Sequence, residues 1–266
     1  MAPASGTAPG GRLAGRTIVI TRPAAQAQAF AARIAAEGAT PLVFPAIEIV
    51  DTPDATALAA AIDRLDAFDL AIFISPNAVN RAMNLVRARR AWPPGLRVAA
   101  IGRGSARELA RYGFADVIVP ERRFESEALL ALPALADVAG WQVLIFRGDG
   151  GRELLGDTLE QRGARVAYAE CYRRVKPDAD AGDLLRRWVR GGIDAVTVTS
   201  SEGLRNLFDM VGNLGRQWLR RTPLFVPHER IAATAAELGA QRVILTGPAD
   251  DGLLEGLARH FGSSPC

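Results

Sequence analysis

Short apolar runs alternate with longer helical stretches along most of this chain. Thr17–Thr21, Asp69–Ser75 and Gln142–Phe146 are apolar at nearly every position, which is typical of strands buried on both faces of a parallel sheet. Between such runs lie stretches such as Ala24–Glu37, an alanine-rich segment followed by Gly38, the usual residue at the end of a helix. Strands alternating with helices predict α/β units around parallel sheets.

The second half of the chain repeats the first at one constant offset. The segment Thr17–Glu48 aligns with Gln142–Pro177, so that Arg22 matches Arg147. The strand DLAIFIS that ends at Ser75 matches DAVTVTS, which ends at Ser200. Units this long indicate two similar domains rather than a solenoid, and 266 residues are enough for two domains.

Two predicted strands that could form an isolated two-stranded ladder flank a block of four other predicted strands. They are Leu42–Val50, which Pro45 interrupts, and Arg165–Arg173; a proline inside a strand favours an edge position or an isolated ribbon. We therefore predict two flavodoxin-like parallel-sheet domains that are joined by a two-stranded β-ladder and hinge about it. The predicted divisions are residues 15–40 with 178–266 for one domain, 53–163 for the inserted domain, 41–52 and 164–177 for the linker, and 1–14 for a disordered tail.

Composition excludes several classes of protein. The formal net charge is +3, and Lys176 is the only lysine among 32 basic residues; this arginine bias reflects either genomic base composition or recognition of planar carboxylates by guanidinium groups. No dense basic run carries interleaved aromatics, which argues against nucleic acid, and no apolar run is long enough for a membrane span. The first residues lack the features of a secretory signal, and Cys171 and Cys266 form no disulfide framework, so we expect a cytoplasmic protein.

Polar turns follow the predicted strands at their carboxyl ends, where open α/β sheets bind ligands. Each turn leads into a helix whose free N–H groups attract anions, although serine and asparagine are also the preferred N-caps of helices. Because the turns are divided between two domains expected to face each other, they predict a shared anion-binding cleft. Its candidate substrate-binding residues are Arg22, Ser75, Asn77, Gly102, Ser105, Arg147, Gly148, Ser200, Ser201, His228 and Arg230.

Common catalytic machinery is missing from the sequence. There are two histidines, His228 and His260, so no Ser-His-Asp array is visible, and no cluster has the spacing of metal ligands. The glycines after Arg147 depart from the G-x-G-x-x-G dinucleotide pattern, and we assign them to close approach of an anionic ligand. Tyr172 is the aromatic residue with the strongest case for a role, because it lies on the linker strand; the alternative is a packing tyrosine.

Four segments carry a resemblance to the uroporphyrinogen-III synthase family. They read DLAIFISPNAV from Asp69, RGDGGRELL to ECYRR within Gln142–Arg173, DAVTVTSSEGLRNL from Asp194 and PLFVPHERIAATAAEL from Pro223. The resemblance implies two α/β domains joined by a two-stranded ladder. It also implies a lyase that converts hydroxymethylbilane into uroporphyrinogen III, with loss of water and inversion of ring D, without cofactor or metal.

The resemblance further assigns residues and partners. Tyr172 matches the tyrosine proposed to donate a proton to the departing hydroxyl, and a phenol keeps its proton at neutral pH. The substrate is the small molecule hydroxymethylbilane, we expect a monomer, and transient contact with hydroxymethylbilane synthase is expected. A non-catalytic ligand-binding or sensor module for a polycarboxylate or tetrapyrrole stays open, as does a family member that binds tetrapyrrole without turnover.

Overall fold

The computed structural model describes residues 11–121, 125–150 and 153–262. The chain divides into two compact units, one formed by Ile49–Arg174 and the other by the residues up to Glu48 together with those from Val175 onward. Each unit contains a parallel sheet with helices packed against it, so the predicted α/β fold class is confirmed. None of the described helices is both long and apolar enough to cross a membrane.

The strands are short, as the apolar runs predict. In chain order they are β1 (Thr17–Ile20), β2 (Thr40–Val43), β3 (Glu48–Val50), β4 (Leu70–Phe73), β5 (Arg97–Ala100), β6 (Val117–Ile118), β7 (Gln142–Gly148), β8 (Arg165–Val175), β9 (Ala195–Thr197), β10 (Leu224–Val226) and β11 (Val243–Leu245).

The helices occupy the segments between the strands. They are α1 (Ala24–Ala36), α2 (Thr56–Asp63), α3 (Pro76–Arg89), α4 (Arg103–Arg111), α5 (Ser126–Leu130), α6 (Leu154–Gln161), α7 (Gly182–Val189), α8 (Ser201–Met210), α9 (Gly212–Arg221), α10 (Glu229–Glu237) and α11 (Ala249–Gly262), with single 3₁₀ turns at Leu65–Ala67 and Pro133–Leu135.

The two sheets place strands that correspond in the sequence repeat at the same positions, with β1 corresponding to β7 and β9 to β4. The discontinuous unit has the five-stranded order β11-β10-β9-β1-β2, and the inserted unit has β6-β5-β4-β7-β8 with β3 added beside β8. Every pair from β11 to β2 and from β6 to β8 is parallel. Numbered along the chain, the strands of the discontinuous unit have the flavodoxin-like order 2-1-3-4-5, whereas those of the inserted unit, with β3 left aside, have the order 3-2-1-4-5. Each sheet has one point where the direction of winding reverses.

Apolar side chains cover both faces of each sheet. In the inserted unit, Phe73 of β4 and Phe146 of β7 are fully buried and stack with ring centroids 4.7 Å apart. In the other unit, Phe30 of α1 and Phe225 of β10 pack on one face, while Trp188 packs on the opposite face. Burial on both faces explains why the strands read as continuous apolar runs rather than as alternating patterns.

The predicted strand Leu42–Val50 is two strands, β2 and β3. The chain stays beside β1 beyond β2, since the N–H groups of Phe44 and Ala46 donate to the carbonyls of Ile20 and Thr21. Pro45 between them has no N–H to donate, and the chain then leaves the first sheet. The assignment of 41–52 and 164–177 to a linker remains a prediction.

Two regions differ from the sequence prediction. Helix α9 was not predicted, because its ten residues are mainly polar; its packing rests on buried Leu219 and Gly215. Residues 11–14 of the predicted disordered tail form a turn in which Leu13 is fully buried and its N–H donates to the carbonyl of Glu37. The disorder prediction is therefore wrong for 11–14, and residues 1–10 lie outside the described part of the chain.

Candidate functional site

Several of the predicted site residues lie beside the points where the winding of each sheet reverses. In the inserted unit this point is between β4 and β7. Ser75 follows β4, and Gly148 is the last residue of β7. In the other unit the reversal point is between β1 and β9. Arg22 lies in the turn after β1, and Ser200 lies in the turn after β9. The carboxyl ends of strands at such points are the usual ligand sites of open α/β sheets.

Ser75 and Tyr172 are joined by a hydrogen bond between their hydroxyl groups, with 3.0 Å between the oxygens. Ser75 is also the N-cap of α3, where its Oγ accepts from the N–H of Ala78 at 3.1 Å. A serine hydroxyl has one proton and two lone pairs, so the capping bond leaves the proton and a second lone pair for Tyr172. The structure thus supports the capping alternative for Ser75 and adds a partner that the sequence did not indicate.

Gly148 provides the space that the Tyr172 ring occupies. A Cβ atom at this position would lie 2.7 Å from two carbons of the ring, closer than any side chain tolerates. Gly148 is the register partner of Tyr172 on the neighbouring strand, so the ring lies over the glycine on its way from β8 toward Ser75. We predicted close approach of an anionic ligand at this glycine; the close approach in the structure is made by Tyr172.

An irregularity in β8 turns Tyr172 toward the core. The register with β7 shifts between Arg147 and Gly148, which leaves Cys171 as an extra residue on β8. Such a bulge changes the direction of the side chains that follow it, and Cys171 and Tyr172 both pack into the cluster around Phe73. Asp149 secures the irregular strand, because its N–H donates to the Tyr172 carbonyl at 2.8 Å and its carboxylate accepts from the N–H of Arg174.

Arg147 is held by an aromatic ring and a carboxylate. Its guanidinium lies 4.0 Å from the centroid of the Tyr168 ring and binds the carboxylate of Glu170 at 3.2 Å. Its Nε is buried and has no hydrogen-bond partner among the described residues, so one donor is left unsatisfied there. Burial raises the pKa of the Tyr168 hydroxyl, while the nearby guanidinium acts in the opposite direction.

The remaining predicted residues of this unit lie at the starts of α3 and α4. Asn77 is in the first turn of α3, Gly102 is the N-cap of α4, and Ser105 is buried in the first turn of α4. The two helix starts are close together, since a Cβ at Gly104 would be 3.4 Å from the Pro76 ring. Two sets of free helix N–H groups therefore lie near each other beside Ser75.

In the discontinuous unit, Ser200 and Ser201 are engaged in local structure. Ser200 caps α8 by accepting from the N–H of Gly203 at 3.0 Å. Ser201 accepts from the Thr234 hydroxyl at 3.0 Å and contacts the carbonyl of Arg230, which links α8 to α10. Capping and helix packing account for both serines; their contact with a substrate remains a prediction.

The three other predicted residues of this unit differ in exposure. The Arg22 side chain is 12% exposed, forms an ion pair of 2.7 Å with Asp250 and lies over the Phe30 ring at 4.8 Å, so a ligand would compete with an internal carboxylate. His228 is the exposed N-cap of α10 and makes no capping bond through its side chain. Arg230 is also exposed.

Two kinds of chemistry are not supported at this site. The Cys171 thiol is buried, and burial raises its pKa to about 12, so it stays protonated and is a poor nucleophile. Within the described ranges, no group of three or more histidine, cysteine or acidic side chains is arranged to hold a metal ion.

Sequence reasoning missed the contacts that organise the Arg147 side chain. Tyr168 fits only because Gly156 of α6 has no side chain; a Cβ there would lie 1.8 Å from the Tyr168 hydroxyl oxygen. The signal was an isolated glycine inside a predicted helix, which commonly marks close packing. Glu170, which is not among the predicted site residues, pairs with Arg147.

Comparison with known proteins extends over nearly the whole chain. The family model described as uroporphyrinogen-III synthase HemD matches residues 28–255. A solved uroporphyrinogen III synthase from the extreme thermophile Thermus thermophilus superposes with a TM-score of 0.62 at 21% identity, covering 94% of this chain and 100% of that one. A second, from Helicobacter pylori, gives a TM-score of 0.55 at 16% identity over 90% of this chain and 97% of that one. At these identities the two structures show a shared fold.

Sequence relatives give closer matches. The uroporphyrinogen-III synthase of Salmonella typhimurium is 41% identical over 244 residues, which cover 91% of this chain and 99% of the relative. The Escherichia coli enzyme of the same name is 36% identical over the same shares of the two chains. Identity at this level over nearly full length, together with the family model and the shared fold, shows that this chain belongs to the uroporphyrinogen-III synthase family.

Proposed function

We propose that this chain is an active lyase that cyclises hydroxymethylbilane to uroporphyrinogen III, with loss of water and inversion of ring D. The observation that carries the proposal is the hydrogen-bonded pair of Ser75 and Tyr172 beside the reversal point of the inserted unit. It supplies an oriented hydroxyl donor in a protein whose relatives are named for this product.

Tyr172 acts as the proton donor in this proposal. Its phenol proton passes to the hydroxyl group of the bilane while the carbon–oxygen bond breaks, so that water departs and an azafulvene cation remains. The substituted α-carbon of ring D then attacks the cation, and the resulting spiro intermediate fragments and closes again in the inverted order. The proton released on final closure restores the phenol.

Ser75 orients Tyr172 and stabilises the phenolate that forms. Its Oγ accepts from the Ala78 N–H, so its own proton is free to donate to the tyrosine oxygen as negative charge develops there. A positioned donor of this kind is most effective when the bond exists before the reaction. Because the Tyr172 ring is 4% exposed and packs against Gly148, the hydroxyl is held in one direction.

Arg147 is the side chain with the best case for binding a substrate carboxylate. Each pyrrole of the substrate carries two acidic side chains, and a guanidinium group forms strong charge-assisted bonds with carboxylates. Stacking on Tyr168 and pairing with Glu170 fix the group, which lowers the entropy lost on binding.

Several broader statements belong to the same proposal. The protein acts in the cytoplasm as a monomer, and it receives its unstable substrate through transient contact with hydroxymethylbilane synthase. No cofactor takes part in the step, because departure of the hydroxyl is driven by the pyrrole itself and the protein contributes mainly positioning.

A coupled assay tests the proposal. Porphobilinogen and hydroxymethylbilane synthase generate the bilane with and without this protein, and the oxidised products are separated by chromatography. Uncatalysed closure produces isomer I, so a switch to isomer III is the expected result. Isomer I alone, from protein with intact secondary structure by circular dichroism, would overturn the enzyme assignment and favour a non-catalytic tetrapyrrole-binding module.

A further inference from the structure

A pocket lies at the amino-terminal ends of the strands in the sheet of the discontinuous unit. The strands β1, β9, β10 and β11 are parallel neighbours, so their amino-terminal ends lie side by side. The residues that immediately precede these strands therefore lie in a row. These four residues, Arg16, Asp194, Pro223 and Arg242, line a pocket of about 430 Å³. The candidate site residues follow the strands at their carboxyl ends, which places this pocket apart from them within the unit.

Positive charge exceeds negative charge around the pocket. It is lined by the guanidinium groups of Arg16, Arg221 and Arg242 and by one carboxylate, that of Asp194. Asp194 is already used, because one oxygen binds Arg16 at 3.0 Å and the other accepts from the N–H of Thr17 at 2.8 Å. Within the described ranges, neither Arg221 nor Arg242 has an ion-pair partner.

Helix geometry accounts for only one of these arginines. Arg221 lies in the last turn of α9, where a positive charge interacts favourably with the helix dipole. Its neighbour Arg220 donates instead to the carbonyl of Leu238 at 3.0 Å. Arg16 and Arg242 precede strands, so capping does not explain why they converge on the same pocket.

The floor of the pocket is fixed and partly aromatic. Trp188 is 2% exposed, and its indole N–H donates to the Thr222 hydroxyl at 3.0 Å. Thr222 in turn donates to the carbonyl of Trp218 at 2.9 Å. A ligand would therefore meet a preformed surface beneath the charged guanidinium groups.

The pKa of His260 depends on the charges around this pocket. Its pKa is lowered by burial, and the positive charges of Arg242 and Arg16 lower it further. The imidazole lies edge-on to the Phe225 ring, with 5.4 Å between the centroids, and it lines the same pocket. An anion bound between the arginines would offset their charge and make protonation of His260 easier.

We propose that this pocket binds a small polyvalent oxyanion, carrying phosphate or carboxylate groups, through Arg16, Arg221 and Arg242. Guanidinium groups recognise both kinds of oxyanion by paired hydrogen bonds, and the uncompensated charge supplies the attraction. The proposal is independent of the cyclisation reaction.

Calorimetric titration of the full chain with pyrophosphate, and separately with citrate, tests the proposal at low salt and neutral pH. We expect saturable one-to-one binding, weakened roughly tenfold or more in Arg242→Gln and in Arg221→Gln, as loss of a charge-assisted contact implies. Arg187→Gln is the matched control, since Arg187 is an exposed arginine of the same unit that does not line the pocket. Preference for one probe identifies phosphate or carboxylate as the group recognised.

A second measurement needs no variant of the arginines. The His260 resonances, identified by comparison with His260→Gln, are titrated by NMR with and without saturating probe, and the probe is expected to raise the His260 pKa. An unchanged His260 pKa, absence of saturable binding of either probe, or equal weakening in Arg187→Gln would overturn the proposal. Isomer formation in the coupled assay is a separate readout, so failure of one proposal is distinguishable from failure of the other.

Discussion

The hydroxyl oxygens of Ser75 and Tyr172 lie 3.0 Å apart, although the residues are 97 positions apart in the chain. One follows β4 and the other belongs to β8, with β7 between these strands in the sheet. The contact is direct only because Gly148 on β7 leaves room for the tyrosine ring. Ser75, Gly148 and Tyr172 therefore depend on one another, and substitutions at each of them have distinguishable effects.

Replacement of Ser75 by alanine removes both the helix cap and the partner of Tyr172. Loss of the cap is expected to lower the free energy of unfolding by about 1 kcal/mol, measured by urea denaturation. Turnover in the coupled assay is expected to fall as well, because the tyrosine hydroxyl loses its orienting bond.

Ser200→Ala provides the control for this experiment. Ser200 occupies the equivalent position in the repeat and caps α8 through the N–H of Gly203 at 3.0 Å. Its loss should lower the free energy of unfolding by a similar amount. If turnover at saturating substrate falls equally in both variants, loss of the cap explains the effect and Ser75 has no particular role toward Tyr172. A rise in KM confined to Ser200→Ala would instead indicate the substrate contact predicted for Ser200.

Tyr172→Phe keeps the ring and removes only the hydroxyl. Because the ring belongs to a buried apolar cluster that phenylalanine also fills, the free energy of unfolding should change little. Turnover is expected to fall by roughly two orders of magnitude, the lower end of what general acid catalysis contributes. Unchanged turnover would remove Tyr172 from the mechanism and leave substrate positioning as the main contribution.

Gly148→Ala tests whether the tyrosine needs the space over β7. The added methyl group would lie 2.7 Å from the ring, so the ring must move or the strands must separate, at a cost of about 1–3 kcal/mol. We expect lower stability and lower turnover together. Gly95→Ala, at a glycine of the same unit with nothing within 4 Å of the added atom, should change neither; a wild-type-like Gly148→Ala would contradict the packing argument.

Arg147→Ala separates substrate binding from catalysis. If Arg147 binds a substrate carboxylate, KM is expected to rise roughly tenfold, as loss of a charge-assisted hydrogen bond implies, while kcat changes less. Arg165→Ala is the control, because Arg165 is an exposed arginine at the start of β8. An unaltered KM in Arg147→Ala would confine this arginine to its contacts with Tyr168 and Glu170.

The lowered pKa of His260 predicts a dependence of stability on pH. When the pH falls below the ordinary histidine value of 6.5, the unfolded chain takes up a proton at this residue before the folded protein does. The free energy of unfolding therefore decreases on acidification in that range, and His260→Gln should decrease less.

Urea denaturation at a series of pH values compares the two proteins, with His228→Gln as the control for loss of an imidazole. The carboxylate of Glu37, whose pKa is lowered by Arg12, contributes to stability only above its own, more acidic range. The stabilisation by Glu37 is therefore lost at a lower pH than the stabilisation that depends on His260. A parallel pH dependence in wild type and His260→Gln would contradict the prediction.

Local signals in the sequence were sufficient for the architecture. Consecutive apolar residues, as in Leu70–Phe73, identify strands that are covered on both faces, and the repeat that relates Ser75 to Ser200 identifies two similar units. These features depend on residues close together in the chain, because burial pattern and turn chemistry are properties of short segments. The ends of the strands then indicate the site, since parallel strands bring their carboxyl ends to one edge.

Only the tertiary structure decided which of those turn residues meet. The contact of Ser75 with Tyr172 depends on the order of β4, β7 and β8 and on a bulge at Cys171, neither of which has a local signature. The same holds for Arg147, which the sequence assigns to a ligand and the fold places between Tyr168 and Glu170. The physical reason is that strand order and register are fixed by packing over the whole unit, whereas the sequence pattern reports only which face of each segment is buried.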